Sequence, residues 1–212
     1  MSSHSDLAAS RAAGPDVILS SLDPQRIAAC FVPAILSEES VQLMLQEPRF
    51  HPRLMRVLER HYALASPGEV LHAEPVAAQI FIASPQRLEQ FVRACGAVAN
   101  APAFTQAVQA SQVKTLRERF GAAVADCALR HRTLAFDKPA FTDIDALDAA
   151  VIQDGTACLD AWRQGLSPAL TGWMRLRTRA REYVHLTDEA RAKGTQIVHA
   201  LASEMLTTEV HP

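Results

Sequence analysis

Few residue types in this chain stand at spacings that chemistry uses. Cys127 and His131 lie four apart in a helix-periodic segment, which puts a thiol and an imidazole on one face. A zinc site needs about four ligands, and nothing nearby in the sequence supplies the rest. A packed thiol beside a partly exposed imidazole is the expected outcome. Ser111-Gln112-Val113-Lys114 matches the SxxK pattern of some acyl-enzymes, but the companion motifs of that class are absent. Ser111 reads better as a helix N-cap. Ser167, between Gly165 and Pro168, forms no nucleophile elbow, and His51, His61 and His72 have no ligand spacing to one another. The eight glycines are scattered, without a dinucleotide or phosphate-loop pattern. No catalytic, cofactor-binding or metal-binding residue is therefore assigned, and a protein that binds other proteins is the leading reading. Two alternatives stay open. One is a small helical metal-dependent enzyme whose site gathers His and Asp from distant positions. The other is a helical DNA-binding regulator.

Charge offers the other kind of chemistry. Between Asp137 and Asp160 there are six Asp and one Lys, and between Arg163 and Arg181 there are five Arg and no acid. The acidic and basic segments read as two solvated faces that complement each other within the fold, or as a contact surface for charged partners, and the first reading is preferred for the acids. The run Arg175, Arg177, Arg179, Arg181 divides between a solvated face and a partner contact, and spacing by two spreads it around a helix. Arg forks bind carboxylates in pairs, and tryptophans anchor interfaces, so Trp173, Arg175 and Arg177 are the candidate partner-binding residues. Trp162 and Trp173 otherwise read as core anchors. The net charge of −2 supplies no global field toward nucleic acid or anionic lipid.

The elements that must carry these residues are helical. Aromatics make up only 6% of the 212 residues, so a core drawn from 49% apolar residues is built mainly of Ala, Leu and Val. That palette favours close-packed helices. Caps and prolines set the starts: Asp23-Pro24, Ser37, His51-Pro52, Ser84-Pro85, Pro102, Ser111, Ile144, Ser167-Pro168 and Thr187. The expected architecture is all-α: a single compact multi-helix domain over 17–181, a disordered leader over 1–16, and a C-terminal helix and tail over 182–212. Residues 70–83 stay open between a short strand or hairpin and an inner helix. The thiols Cys30, Cys95, Cys127 and Cys158 form no close pair, and no secretory signal or bilayer-length apolar run is visible. Reduced thiols and a cytoplasmic location are expected.

The stretch Leu88–Leu134 resembles the central block of the SctK-type proteins of bacterial type III secretion systems, in the variant of the Hrp group from plant-associated bacteria. Gly96, Val113, Leu116, Phe120, Gly121, Ala128, Leu129 and Arg130 fall where that pattern wants them. A second block fits at Gly155, Leu159, Trp162, Pro168, Leu170 and Leu176. The likeness covers roughly residues 20–178 and matches little in 60–85. It implies a cytoplasmic adaptor of the sorting platform, peripheral to the inner membrane. Such an adaptor links the cytoplasmic domain of the SctD-type inner-membrane ring protein to the SctQ-type pod protein, and through it to the SctL-type stator and SctN-type ATPase. It hands over no catalytic residue, and with the slightly acidic charge balance no cofactor and no nucleic-acid partner are expected.

Overall fold

Helix starts are written into the chain as side-chain oxygens that cap the first turn, at Asp23 with a proline following. A computed structural model describes residues 15–31, 36–67, 73–139, 141, 143–177 and 186–206. Asp23 accepts from the Gln25 N–H at 3.0 Å and Ser37 from Ser40 at 3.2 Å. Asp143 accepts from Ala146 at 2.8 Å and Thr187 from Ala190 at 3.2 Å. Each satisfies a backbone donor that the first helical turn leaves unpaired. The product is all-α: among the described residues the elements are α-helices joined by short 3-10 turns. No helix among them is long and apolar enough to cross a membrane.

The helices cluster into two compact units. The first draws on Met1–Ser84 and Leu166–Arg181. It contains α1 (Pro15–Ser20), α2 (Pro24–Ala28), α3 (Glu38–Gln46), α4 (His51–Tyr62), α5 (Pro75–Ile82) and α11 (Pro168–Arg177). The second draws on Pro85–Gly165 and Glu182–Thr207. It contains α6 (Pro85–Ala99), α7 (Ala101–Thr105), α8 (Ala110–Phe120), α9 (Ala122–Arg130), α10 (Ile144–Gln164) and α12 (Asp188–Met205).

Several expectations change in detail. The leader was expected to reach residue 16, yet α1 starts at Pro15, and Ile18, Leu19 and Leu22 are buried. Residues 1–14 lie outside the described residues. Of residues 70–83, which the sequence leaves open between a short strand or hairpin and an inner helix, Pro75–Ile82 form a helix. Its buried residues Ala77, Ile80 and Phe81 follow the three- and four-residue spacing of a helix face, not the alternation of a strand. Residues 70–72 lie outside the description. Ser111 caps nothing. Helix α8 starts one residue earlier, and Gln112 reaches back to accept from the Gln109 N–H at 3.4 Å. Val108 lies beyond the end of α7 and is 86% exposed.

Helix α12 packs against α6 and α10 and forms a wall of the second unit. Ile197, Val198 and Leu201 are fully buried there, where the sequence suggested an appended tail. The centre of this unit is the crossing of α6 on α10 at Gly96 and Gly155. A Cβ added to Gly96 would stand 1.7 Å from the Val151 carbonyl oxygen, and one on Gly155 would stand 1.9 Å from that of Val92. Gly194 repeats the device between α12 and α10, 3.2 Å from the Cys158 Cα by the same construction. Ala-rich helices need such notches, because their small side chains gain contact only when backbones approach closely.

Candidate functional site

Of the three residues singled out for partner binding, two point inward. Helical geometry decides this: Leu170, Trp173 and Arg177 share one face of α11, and Arg175 falls on the opposite side. Trp173 is 1% exposed, donates its indole N–H to the Ala65 carbonyl at 2.9 Å, and meets Phe81 edge-on at 6.3 Å. The Arg177 guanidinium lies buried against the end of α5. Its Nη1 donates to the Ile80 carbonyl at 2.6 Å and to Phe81, and its Nη2 donates to Ala83. A cation at a helix C-terminus is favoured by the dipole and satisfies carbonyls that have no partner in their own helix. Burial draws the Arg177 pKa down to about 10, so the group is still charged at neutral pH. Trp173 and Arg177 are thus structural members of the first unit. Only Arg175 is exposed. Arg179 and Arg181 lie outside the described residues.

The Cys127–His131 pair is joined by two residues that its spacing did not reveal. Glu204, from the end of α12, accepts from His131 Nε2 at 3.1 Å and from Arg130, while Arg130 also donates to the Cys127 Sγ at 3.4 Å. Burial raises the Cys127 pKa, with the Arg130 contact opposing it, so the thiol is protonated at neutral pH and is no poised nucleophile. The cluster is a latch between α9 and α12. The hydrogen bond from His131 and the nearby Arg130 charge hold the Glu204 pKa below the ordinary carboxylate value. A lowered carboxylate pKa contributes stability that is present above the unfolded-state value of about 4.3 and disappears as pH falls through the folded-state value. Glu204→Gln is expected to lower the urea midpoint near neutral pH, and the difference from the parent should shrink as pH falls through the folded-state value of the carboxylate.

Four of the six acids of 137–160 pair with cations of their own unit. Asp148 takes Arg93 at 2.5 Å and Arg119 at 2.9 Å, and Arg119 also reaches Asp145 at 3.0 Å. Asp154 receives the Lys138 ammonium and the Asn100 amide, the latter at 2.7 Å. Arg163 pairs with Asp160 at 3.3 Å. The acids are thus complemented in part by the basic segment, through Arg163, and otherwise by Arg93, Arg119 and Lys138. Ser167 also finds its role as a cap, its hydroxyl accepting from the Leu170 N–H at 3.4 Å. Cys158 is pushed up to about 12 by burial and by the Asp154 charge, and burial raises Cys95 well above the ordinary thiol value. Among the described residues, no three His, Cys, Asp or Glu side chains converge to hold a metal ion.

What the second unit offers to a partner is α8. Its last turn is seated, Phe120 packing edge-on against Phe104 at 5.4 Å. Leu116 is half-buried, and every other residue from Ala110 to Arg119 is exposed. A shallow groove runs along it, lined by Ala110, Val113, Lys114, Arg117 and Glu118. Thus the apolar stripe Val113–Leu116–Phe120 is covered at one end and open at the other. No protein-family profile, curated protein or solved structure matches this chain.

Proposed function

We propose that the chain is a non-enzymatic adaptor of a bacterial type III secretion system. In this reading it is of the SctK type and links the inner-membrane ring to the sorting-platform pod, in the cytoplasm and peripheral to the inner membrane. The observation that carries the reading is where the resembling residues stand. The two sequence blocks are distant in the chain, and they meet at the helix crossing of Gly96, from the first block, with Gly155, from the second. Within the first block, Gly121 takes a φ of 85° between α8 and α9, a left-handed value that favours glycine. Val113 stands on the open part of α8, where a protein contact is available. Apolar residues left on an exposed helix beside paired charges suit a surface that binds and releases partners.

The test is co-purification of the tagged full chain with the SctD-type ring domain and the SctQ-type pod protein, together with deletion of its gene in the native cell. Capture of at least one, with loss of effector export in the deletion strain, is the expected result. Binding to neither protein, with export intact, would sink the assignment. Stoichiometric zinc or iron in the purified chain would favour the enzyme reading.

A further inference from the structure

The exposed face of α4 carries an arginine stripe that the fold does not use. Arg53, Arg56 and Arg60 are three and four residues apart, so they fall within an arc of about 60° and span about 10 Å along the axis. All three are exposed. None has a carboxylate at ion-pair distance among the described residues, and the Nε of Arg56 donates only to its own helix, at the Pro52 carbonyl 3.3 Å away. The second unit treats its arginines differently: Arg93, Arg117, Arg119 and Arg130 each hold an acid. The opposite face of α4 is fixed, with Leu54, Met55 and Leu58 buried and the His51 ring bonded to the Leu45 carbonyl at 2.8 Å. The stripe is therefore presented on a helix that is held from behind, in a chain whose net charge is −2.

We infer that this stripe is a docking surface for an acidic helical segment of a partner protein, one with carboxylates repeating at three- and four-residue spacing on one face. Arginine forks match carboxylates two bonds at a time, and the half-buried Val57 beside the stripe offers a small apolar contact. A membrane surface fits less well. Pro52, Glu59 and His61 flank the stripe, and no exposed Trp, Phe or Leu is on α4 to enter the acyl layer. Duplex DNA fits less well too, because three cations on a slightly acidic chain make a short footprint. The inference rests on the adaptor reading only in taking the partner to be a protein.

The test titrates the full chain into a labelled helical peptide with Glu at i, i+3 and i+7. A scrambled peptide, phosphatidylglycerol-containing vesicles and duplex DNA run in parallel. Expected is binding that weakens on raising salt from about 20 to about 150 mM. The triple variant Arg53→Gln, Arg56→Gln, Arg60→Gln should bind roughly ten-fold more weakly. A charge-matched variant away from α4 and α8, Arg87→Gln, Arg132→Gln, Arg191→Gln, should stay within about two-fold of the parent. Single variants at Arg53 and Arg60 should each show part of the loss, which keeps the test independent of the triple variant's folding. No binding, equal binding by the triple variant or of the scrambled peptide, or vesicle or DNA binding that the triple variant abolishes in place of peptide binding would each overturn the inference. If the peptide result holds and the ring and pod proteins do not bind, the stripe stands and the secretion assignment falls. If those proteins bind equally well to the triple variant, the stripe falls and the assignment stands.

Discussion

Gly96→Ala and Gly155→Ala each abolish cooperative folding of the second unit. That is the expected result of urea or thermal unfolding followed by circular dichroism. At both positions the new methyl meets backbone: 1.7 Å to the Val151 oxygen from Gly96, and 1.9 Å to the Val92 oxygen from Gly155. A flexible side chain could swing away, but a carbonyl inside a helix moves only with its helix. Opening the crossing enough for one Cβ also separates Phe91, Cys95, Val151 and Cys158, which are fully buried along α6 and α10. The cost is the clash plus lost packing, more than about 4 kcal/mol. Domains are stable by only about 5–15 kcal/mol, so either substitution takes a large share of the total. Other glycines give the scale. Gly121→Ala meets nothing within 4 Å but must hold a φ of 85°, and should cost about 1 kcal/mol. Gly165→Ala, at an ordinary helical φ of −87° and 3.5 Å from the Trp162 oxygen, should stay within about 0.5 kcal/mol of the parent. A flat ranking across these four positions would overturn the account of the crossing.

The sequence let a reader see helices because their starts are chemical. A side-chain oxygen satisfies a donor locally at Asp23, Asp143, Ser167 and Thr187, and Pro24 and Pro168 also fix a φ after the first and third of them. Helix α5 was harder to read. Its segment is apolar on nearly every side, so neither helical nor strand periodicity stands out, and the groups that close its C-terminus come from Arg177, more than ninety residues away. Nothing local to Gly96 says that Gly155 is its partner across the crossing. The same distance hid Glu204 from Cys127 and His131.

The arginines teach a different point. Density drew attention to 175–181, while spacing is what makes a surface. Residues two apart on a helix face different ways, and Arg175 and Arg177 do so, one to solvent and one to the core. Arg53, Arg56 and Arg60 are sparser in sequence and yet form a single stripe. The reading of Trp173 as a core anchor already implied that Arg177, one turn further along the same face, is buried too.

Arg177→Met is therefore expected to destabilise the first unit by about 3 kcal/mol, and Arg177→Glu to prevent its folding. The argument runs from the acceptors. The carbonyls of Ile80, Phe81 and Ala83 end helix α5 and receive the guanidinium. Methionine fills a similar volume but donates nothing, so buried oxygens lose their partner, and each such loss costs about 1–3 kcal/mol before relaxation. Glutamate adds an anion at the negative end of the helix dipole, facing three oxygens. Lysine restores the charge but cannot spread its donors over three carbonyls from a planar fork, so Arg177→Lys should fall between parent and Met. Charge reversal at Arg175, about half a turn out of phase and exposed, should leave the unfolding midpoint unchanged within error. The contrast separates two roles that look alike in the sequence. If Arg177→Glu folds as well as Arg175→Glu, the guanidinium does not close α5. If instead both fold and only Arg175→Glu loses partner affinity, the contact on this helix narrows to that single arginine.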